Sequence, residues 1–157
     1  MQKITTFLSY SDRAEEAVKL YSSLFPNSRV VKTTRYGDAG PGPKGSVMTI
    51  AFELAGQSFV ALNGGPSFSF SQGISLSVNC ETQAELDGLW DGLSAGGKQI
   101  QCGWLTDRFG VTWQIVPQKL GELIGDPDPV KARRTTQAML KMVKLDIGAL
   151  QRAHDGA

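Results

Sequence analysis

The alternation of apolar and polar positions along the chain predicts several β-strands. Residues 46–54 alternate cleanly, which places Met48 and Leu54 on the same apolar face of a strand. Residues 56–63 and 110–117 share one order: a glycine, two residues, an aromatic residue, and an apolar run that ends at a turn former. Because glycine permits a tight turn, each stretch is typical of a strand that follows a turn.

Apolar residues at helical spacing predict two amphipathic helices, over residues 12–24 and 82–93. The two stripes match at a single offset of 69 residues, and strands of the same type precede and follow each helix. The sequence therefore predicts a duplicated βαβββ unit. The matched positions are Ala17, Tyr21 and Leu24 in the first helix, and Leu86, Trp90 and Leu93 in the second.

The predicted helices begin at residues that accept hydrogen bonds. Asp12 is predicted to cap the first helix with Glu15 as its partner, and Thr82 with Glu85 forms a stricter capping box. An Asp-Pro-Asp-Pro sequence at residues 126–129 predicts the start of a tail helix. That helix would carry an apolar stripe of Met139, Met142, Val143, Ile147 and Leu150.

Residues 37–45 contain four glycines and two prolines, which excludes regular structure and predicts a mobile loop. Loops of this kind often cover pockets, and the sequence leaves open whether this one is a lid. The remaining predicted strands are residues 3–8, 29–36, 74–78 and 98–105.

These elements predict an α+β fold in which two βαβββ modules form a curved, mixed and antiparallel sheet around a cavity, with a C-terminal helical appendage. A chain of 157 residues with 41% hydrophobic content is too short for two average domains, so we expect one domain over residues 1–157. Its parts are module 1 (1–66), module 2 (73–117) and C-terminal helices (118–157).

Composition and charge exclude several classes of partner. The formal net charge of +1 gives no reason to expect nucleic acid or an anionic membrane. No apolar run approaches a membrane span, and no signal-peptide pattern precedes the first strand, so we expect a cytoplasmic protein. Cys80 and Cys102 lack the spacing of a zinc knuckle or a redox pair.

Several short runs resemble the vicinal oxygen chelate superfamily, also called the glyoxalase/bleomycin-resistance superfamily. They are residues 12–21 after the first strand and residues 107–114 in the second module. Residues 35–42, 62–66 and 101–104 are similar to its PhnB-like branch, many of whose members carry the name 3-demethylubiquinone-9 3-methyltransferase. The resemblance implies a glyoxalase-like domain and covers the chain to about Met142.

In metal-using members of that superfamily, ligands come from the first and last strands of each module. The resemblance places these positions at Thr5, at Gly73 or Ile74, at Val60 and at Gln114. None is a histidine or carboxylate, which a transition metal requires, so we expect no metal site. The sole histidine lies in the tail.

The methyltransferase name implies S-adenosylmethionine as a cofactor. A methyltransferase of the common fold carries a glycine-rich turn directly after its first strand. No such turn follows residues 3–8, and the 37–45 loop lies between strands. No cofactor is therefore evident, and S-adenosylmethionine is expected only if the family name describes the activity.

Candidate ligand-binding residues line the predicted cavity. Gln114 and Asn63 end equivalent strands and could hydrogen-bond a carbonyl or hydroxyl group, or be ordinary interior and turn residues. Trp104 and Trp113 could stack on a planar ligand or pack in the core. Asp107 and Arg108 are predicted to satisfy a turn.

Three further residues extend the candidate site. Arg35 and Tyr36 flank the loop, and Arg35 could hold an anionic substituent or be an exposed strand residue. Glu53 is a candidate catalytic base, although no catalytic motif is visible.

The sequence thus predicts a metal-free protein that binds a small planar or carbonyl-containing molecule in an interior pocket. The alternatives are a methyltransferase acting on a demethylated quinone, as the family name implies, and an interaction module. Because an apolar stripe on an appended helix needs a surface to cover it, we also expect a homodimer to which the tail contributes.

Overall fold

The computed structural model describes residues 2–157, which divide into two compact units, the first ending at Phe70 and the second beginning at Ser71. The boundary falls between the predicted modules, the first of which ends at residue 66 and the second of which begins at residue 73. Each unit contains the same order of elements, a strand, a helix and three strands, followed in the second unit by three helices. The predicted α+β fold of two βαβββ modules with a C-terminal helical appendage is therefore confirmed.

The first unit contains a four-stranded sheet with strand order β1-β4-β3-β2. Strand β1 runs parallel to β4, whereas β4 with β3 and β3 with β2 pair antiparallel. The elements are β1 (Thr6–Tyr10), α1 (Ala14–Leu24), β2 (Arg29–Arg35), β3 (Val47–Leu54) and β4 (Gln57–Asn63).

The second unit repeats this topology with strand order β5-β8-β7-β6, in which β5 is parallel to β8. A 3-10 turn at Gln101–Gly103 interrupts the strand predicted over residues 98–105. Its elements are β5 (Leu76–Cys80), α2 (Gln83–Ser94), β6 (Lys98–Gln99), β7 (Trp104–Thr106), β8 (Thr112–Pro117), α3 (Leu120–Ile124), α4 (Pro129–Leu140) and α5 (Ile147–Asp155).

The apolar stripe of each module helix packs on the sheet of its own unit. Helix α1 contacts β3 and β4, and helix α2 contacts β8, β7 and β5. Tyr21 on α1 and Trp90 on α2, which occupy equivalent positions of the repeat, are both almost completely buried. Burying such aromatic side chains supplies much of the hydrophobic stabilisation of each unit.

The prediction that Asp12 caps α1 is wrong. The N-cap residue is Arg13, and the backbone N–H of Ala14 donates to Oδ1 of Asn63 at 2.8 Å. Asn63 ends β4, which pairs with β1, so tertiary structure brings its amide to the start of the helix. By contrast, the predicted cap of α2 is confirmed, because Thr82 Oγ1 accepts a hydrogen bond from Glu85 N at 3.1 Å.

The tail helix predicted with one apolar stripe is two helices. Helix α4 ends at Leu140 and α5 begins at Ile147, so Met142 and Val143 lie in the connection between them. Their carbonyl oxygens accept hydrogen bonds from the backbone of Cys102 and Gly103, both at 2.8 Å. The start of α4 is confirmed, since Asp128 Oδ1 accepts from Val130 N at 2.9 Å.

The tail docks on the unit that carries it. Leu145 and Leu150 are completely buried. Gln83 on α2 clamps the connection before α5, because its amide nitrogen donates to the carbonyl of Leu145 at 3.1 Å and its oxygen accepts from Ile147 N at 2.8 Å. None of the helices in residues 2–157 has both the length and the apolar character that a bilayer crossing requires.

Candidate functional site

A cavity of about 440 Å³ lies in the first unit, where β4 ends and α1 begins. Its volume is within the range of small-molecule sites. The 37–45 loop supplies one wall and the start of α1 supplies another. The lining residues are Ser11, Asp12, Glu15, Tyr36, Pro41, Gly42, Pro43, Ser46, Val47, Asn63, Gly65 and Pro66.

Asn63 organises this cavity through its side-chain amide. The nitrogen donates to Glu15 Oε1 at 2.6 Å and to the carbonyl of Val47 at 3.1 Å, while the oxygen accepts from Ala14 N. Both amide hydrogens are therefore engaged within the protein. A ligand carbonyl in the cavity would find no free donor on this side chain.

The 37–45 loop packs on the side chain of Tyr36. The Tyr36 ring is buried, its hydroxyl donates to the carbonyl of Asn63, and its backbone N–H donates to Ser46 O at 2.9 Å. The backbone of Gly40 and Gly42 lies directly against the ring, and a Cβ on either glycine would meet ring carbons. The loop is thus packed on Tyr36 and forms a wall of the cavity.

Arg35 anchors the far end of the same loop. One of its guanidinium nitrogens donates to the carbonyl of Gly45 at 3.0 Å, and an exposed ion pair joins Lys44 to Asp38 at 2.8 Å. Arg35 does not line the cavity. Its predicted contact with an anionic substituent stays a prediction.

Glu53 lies away from this cavity, on β3, where its carboxylate accepts two hydrogen bonds from Arg29 at 2.7 and 3.1 Å. The hydrogen bond from Arg29 lowers the pKa of Glu53. A carboxylate whose pKa is lowered is a weaker base, so its environment opposes the predicted role as a proton acceptor.

In the second unit, Trp104 and Gln114 are directly opposite each other on β7 and β8. Both are half-buried, whereas their neighbours Leu105 and Trp113 are buried on the other face. The Gln114 amide nitrogen donates to Ser75 Oγ at 2.9 Å. An indole, an amide and a hydroxyl group therefore share one side of this sheet.

Trp113 lies on the opposite face, in the core. It is 2% exposed, and its indole nitrogen donates to Asp107 Oδ2 at 2.9 Å. The predicted turn role of Asp107 is confirmed, since its Oδ1 accepts from Phe109 N and Val111 N at 2.9 and 3.0 Å. Of the predicted site residues, the structure brings together Asn63 with Tyr36 and Trp104 with Gln114.

Sequence reasoning missed two kinds of residue. Asp12 and Glu15 line the cavity, whereas the sequence analysis predicted for them only a role in capping α1. Ser75 orients Gln114 from just before β5, and its only sequence signal was a small polar residue in an alternating run. Residues that are brought together by strand pairing are far apart in the sequence, so no local sequence pattern predicts their contact.

The positions at which the resemblance places metal ligands carry other residue types in this chain. Val60 lies on β4 and Gln114 on β8, and neither offers a ligand favoured by transition metals. Within residues 2–157, no three side chains of histidine, cysteine, aspartate or glutamate are grouped so that they could hold an ion. The absence of a metal from the working protein stays a prediction.

The family model for 3-demethylubiquinone-9 3-methyltransferase matches residues 2–116. The chain belongs to this family. The predicted membership of the PhnB-like branch is thereby confirmed. The match ends within β8, so helices α3 to α5 lie beyond it.

Solved structures agree with this assignment. A PhnB protein from Bacillus cereus, provisionally described as a 3-demethylubiquinone-9 3-methyltransferase, is 39% identical, with 72% of this chain and 97% of that chain covered and a TM-score of 0.67. A protein from Pseudomonas aeruginosa is 22% identical, with 72% and 95% covered and a TM-score of 0.59, which shows the fold alone. No curated protein matches the chain significantly.

Proposed function

We propose that this family member binds a small planar molecule bearing a carbonyl or hydroxyl group, without a metal, at Trp104 and Gln114. The observation that carries the proposal is their cross-strand pairing on the half-buried face of the second unit's sheet. The indole offers a flat apolar surface on which a ring can stack. The adjacent amide offers both a donor and an acceptor to a ring substituent.

Ser75 orients the amide of Gln114. Because its hydroxyl holds one N–H of Gln114, the amide is oriented before a ligand arrives. A pre-oriented amide loses less conformational entropy on binding than a freely rotating one. The remaining N–H and the oxygen of Gln114 are then the groups available to a carbonyl or hydroxyl.

The alternative is a methyltransferase acting on a demethylated quinone, as the family name suggests. One observation favours it: a quinone is planar and carries ring oxygens, which suits stacking on Trp104 and hydrogen bonding to Gln114. S-adenosylmethionine would be the methyl donor. Neither the cofactor nor the reaction has a recognisable motif in the chain.

Calorimetric titration with a tetraalkyl benzoquinone, which has neither a free ring position nor a leaving group for reaction with the cysteine thiols, tests the binding proposal. We expect Trp104→Ala and Gln114→Ala each to weaken binding by about tenfold, the loss of one good stacking or hydrogen-bonding contact. Trp104→Phe keeps a ring and should retain most of the affinity. The matched control, Gln118→Ala, changes an exposed glutamine beyond β8. Equal affinities in all variants would overturn the assignment to this face.

Titration with S-adenosylmethionine separates the two candidate functions. Micromolar binding supports the methyltransferase, whereas no heat change with intact quinone binding supports a binding protein. Mass spectrometry of small molecules that co-purify identifies the ligand class if the quinone does not bind. A melting temperature that falls on addition of a chelator contradicts metal-free binding, because a bound metal stabilises the folded state.

We also propose a homodimer in the cytoplasm. Much of the predicted tail stripe is used within the chain, but Leu140 and Val143 remain 55% and 42% exposed around the end of α4. Exposed apolar side chains that lie close together favour contact with another surface. In sedimentation experiments, Leu140→Lys with Val143→Lys should convert a dimer into a monomer, and a monomeric wild-type protein refutes the proposal.

A further inference from the structure

The chain's sole histidine lies between two carboxylates in the tail of the second unit. His154 Nε2 is 2.8 Å from Asp126 Oδ2, in the connection between α3 and α4, and Nδ1 is 3.1 Å from Asp155 Oδ1 on α5. The His154 side chain is only 10% exposed. Both ring nitrogens therefore meet acceptors at hydrogen-bond distance in a largely enclosed position.

This arrangement matches only one protonation state of the imidazole. A neutral ring has one N–H and one lone pair, so one of the two carboxylate contacts would set a lone pair against a negative oxygen. The imidazolium donates from both nitrogens and satisfies both carboxylates. The geometry thus selects the charged ring.

We propose that His154 is a pH-operated latch, which holds α5 against the α3–α4 connection when the ring is charged and releases that contact when the ring is neutral. The contact joins residues 28 positions apart, and it is the part of the cluster that links two separate elements. Asp155 follows His154 on the same helix and strengthens the charged ring without making the link.

Further charged side chains surround the latch. Arg134 on α4 donates to the carbonyl of His154 at 2.7 Å. The pKa of Asp126 is lowered chiefly by Asp128 N and that of Asp155 chiefly by His154, and Lys131 on α4 makes a minor contribution to both. Asp126 is itself held, because its Oδ1 accepts from Asp128 N at 2.8 Å. Arginine and lysine stay charged across neutral pH, so histidine is the member of the cluster that titrates there.

The direction of the pH dependence follows from the pKa shifts. The hydrogen bonds to Asp155 and then Asp126 raise the pKa of His154, so the latch is fully closed below about pH 6.5 and opens as the pH rises through the folded-state pKa. In the folded protein the pKa of each aspartate lies below its ordinary value. Asp128 N is the main cause for Asp126, and His154 is the main cause for Asp155. Their contributions are lost only as the pH falls below the ordinary carboxyl range.

Opening the latch would loosen α5, whose Leu150 is completely buried. The remaining contacts of α5, including the hydrogen bond from its first residue to Gln83, do not depend on His154. Because α5 lies beyond residues 2–116, the latch belongs to the part of the chain outside the family match. It is a property of the appendage rather than of the duplicated core.

The sole histidine makes the test direct, provided that the protein carries no histidine tag. Proton NMR follows the single imidazole through a pH titration. We expect a pKa above about 6.5 in the wild type and a lower value in Asp126→Asn. Asp38→Asn removes a carboxylate from the first unit and should leave the titration unchanged, since Asp38 pairs with Lys44. A wild-type pKa at or below the ordinary value overturns the proposal.

Hydrogen exchange then measures how firmly α5 is held at each pH. Protection of α5 amides, corrected for intrinsic exchange, should fall severalfold between about pH 6 and about pH 8.5, while α2 amides stay protected. His154→Gln should remove this pH dependence, with α2 reporting that the unit remains folded. Asp155→Asn changes a half-exposed side chain and should show a smaller dependence that begins at lower pH. An α5 protection that is constant with pH, or that falls equally in His154→Gln, contradicts the latch.

Discussion

Asp107 and Trp113 are joined by a buried hydrogen bond, with the indole nitrogen 2.9 Å from carboxylate oxygen Oδ2. The other oxygen of Asp107 accepts from two backbone N–H groups in the turn between β7 and β8. Asp107 is 3% exposed, and the turn and the tryptophan therefore depend on one carboxylate. This contact orients β8, the strand that carries Gln114 on its other face.

Replacing Asp107 should destabilise the second unit. Asp107→Ala leaves buried donors unsatisfied, so we expect the free energy of unfolding to fall by about 3 kcal/mol. Asp107→Asn should cost less, because its oxygen can still accept from the backbone while its NH₂ group opposes the indole N–H. Urea unfolding followed by tryptophan fluorescence measures both. Asp38→Ala, an exposed aspartate, is the control, and equal losses in the two alanine variants would contradict the buried role.

Asn63→Ala should loosen the start of α1. The change removes the acceptor of Ala14 N and the donor to Glu15 and Val47, and we expect a loss of about 2 kcal/mol. All three tryptophans lie in the second unit, so tryptophan fluorescence does not report directly on α1. Hydrogen exchange of the α1 amides is therefore the suitable measurement. Asn79→Ala, on the exposed side of β5, should change stability by less than about 0.5 kcal/mol. Unchanged α1 exchange in Asn63→Ala would show that water replaces the cap without loss.

Gly42→Ala and Gly37→Ala form a matched pair within the loop. A Cβ at Gly42 would overlap the buried ring of Tyr36, whereas one at Gly37 meets nothing within 4 Å. Overpacking of this kind costs about 1–3 kcal/mol, and we expect Gly42→Ala to displace the loop from Tyr36. Limited proteolysis should cut the Gly42 variant faster than both the wild type and Gly37→Ala. Similar cleavage of the two variants would mean that the loop does not rest on the ring.

The two thiols should differ sharply in reactivity. Burial, aided by Glu85, raises the pKa of Cys80 to about 12, so little thiolate forms near neutral pH. Cys102 is half-buried. A colorimetric thiol reagent at about pH 8 should therefore titrate one thiol per chain in the native protein and the second only in denaturant. Cys102→Ser is the control, which should show no rapid reaction, and rapid modification of two native thiols would contradict this.

The duplicated βαβββ order was readable from the sequence because it depends on local periodicity. Alternation along residues 46–54 and helical spacing over 82–93 each reflect one buried face, and the glycine before β8 marks a turn. The Thr82 cap was predictable for the same reason, since donor and acceptor lie three residues apart.

Tertiary structure decided the contacts between residues distant in the chain. Asn63, and not Asp12, accepts the hydrogen bond at the start of α1, because β4 pairs with β1. The Asn63 amide, which the sequence analysis offered as a ligand-binding group, is therefore used within the protein. Where the tail divides into α4 and α5, the carbonyl groups of Met142 and Val143 accept backbone hydrogen bonds from Cys102 and Gly103, about 40 residues earlier in the chain. His154 gained its two carboxylates in the same way, since Asp126 lies 28 residues away and no local pattern records that pairing.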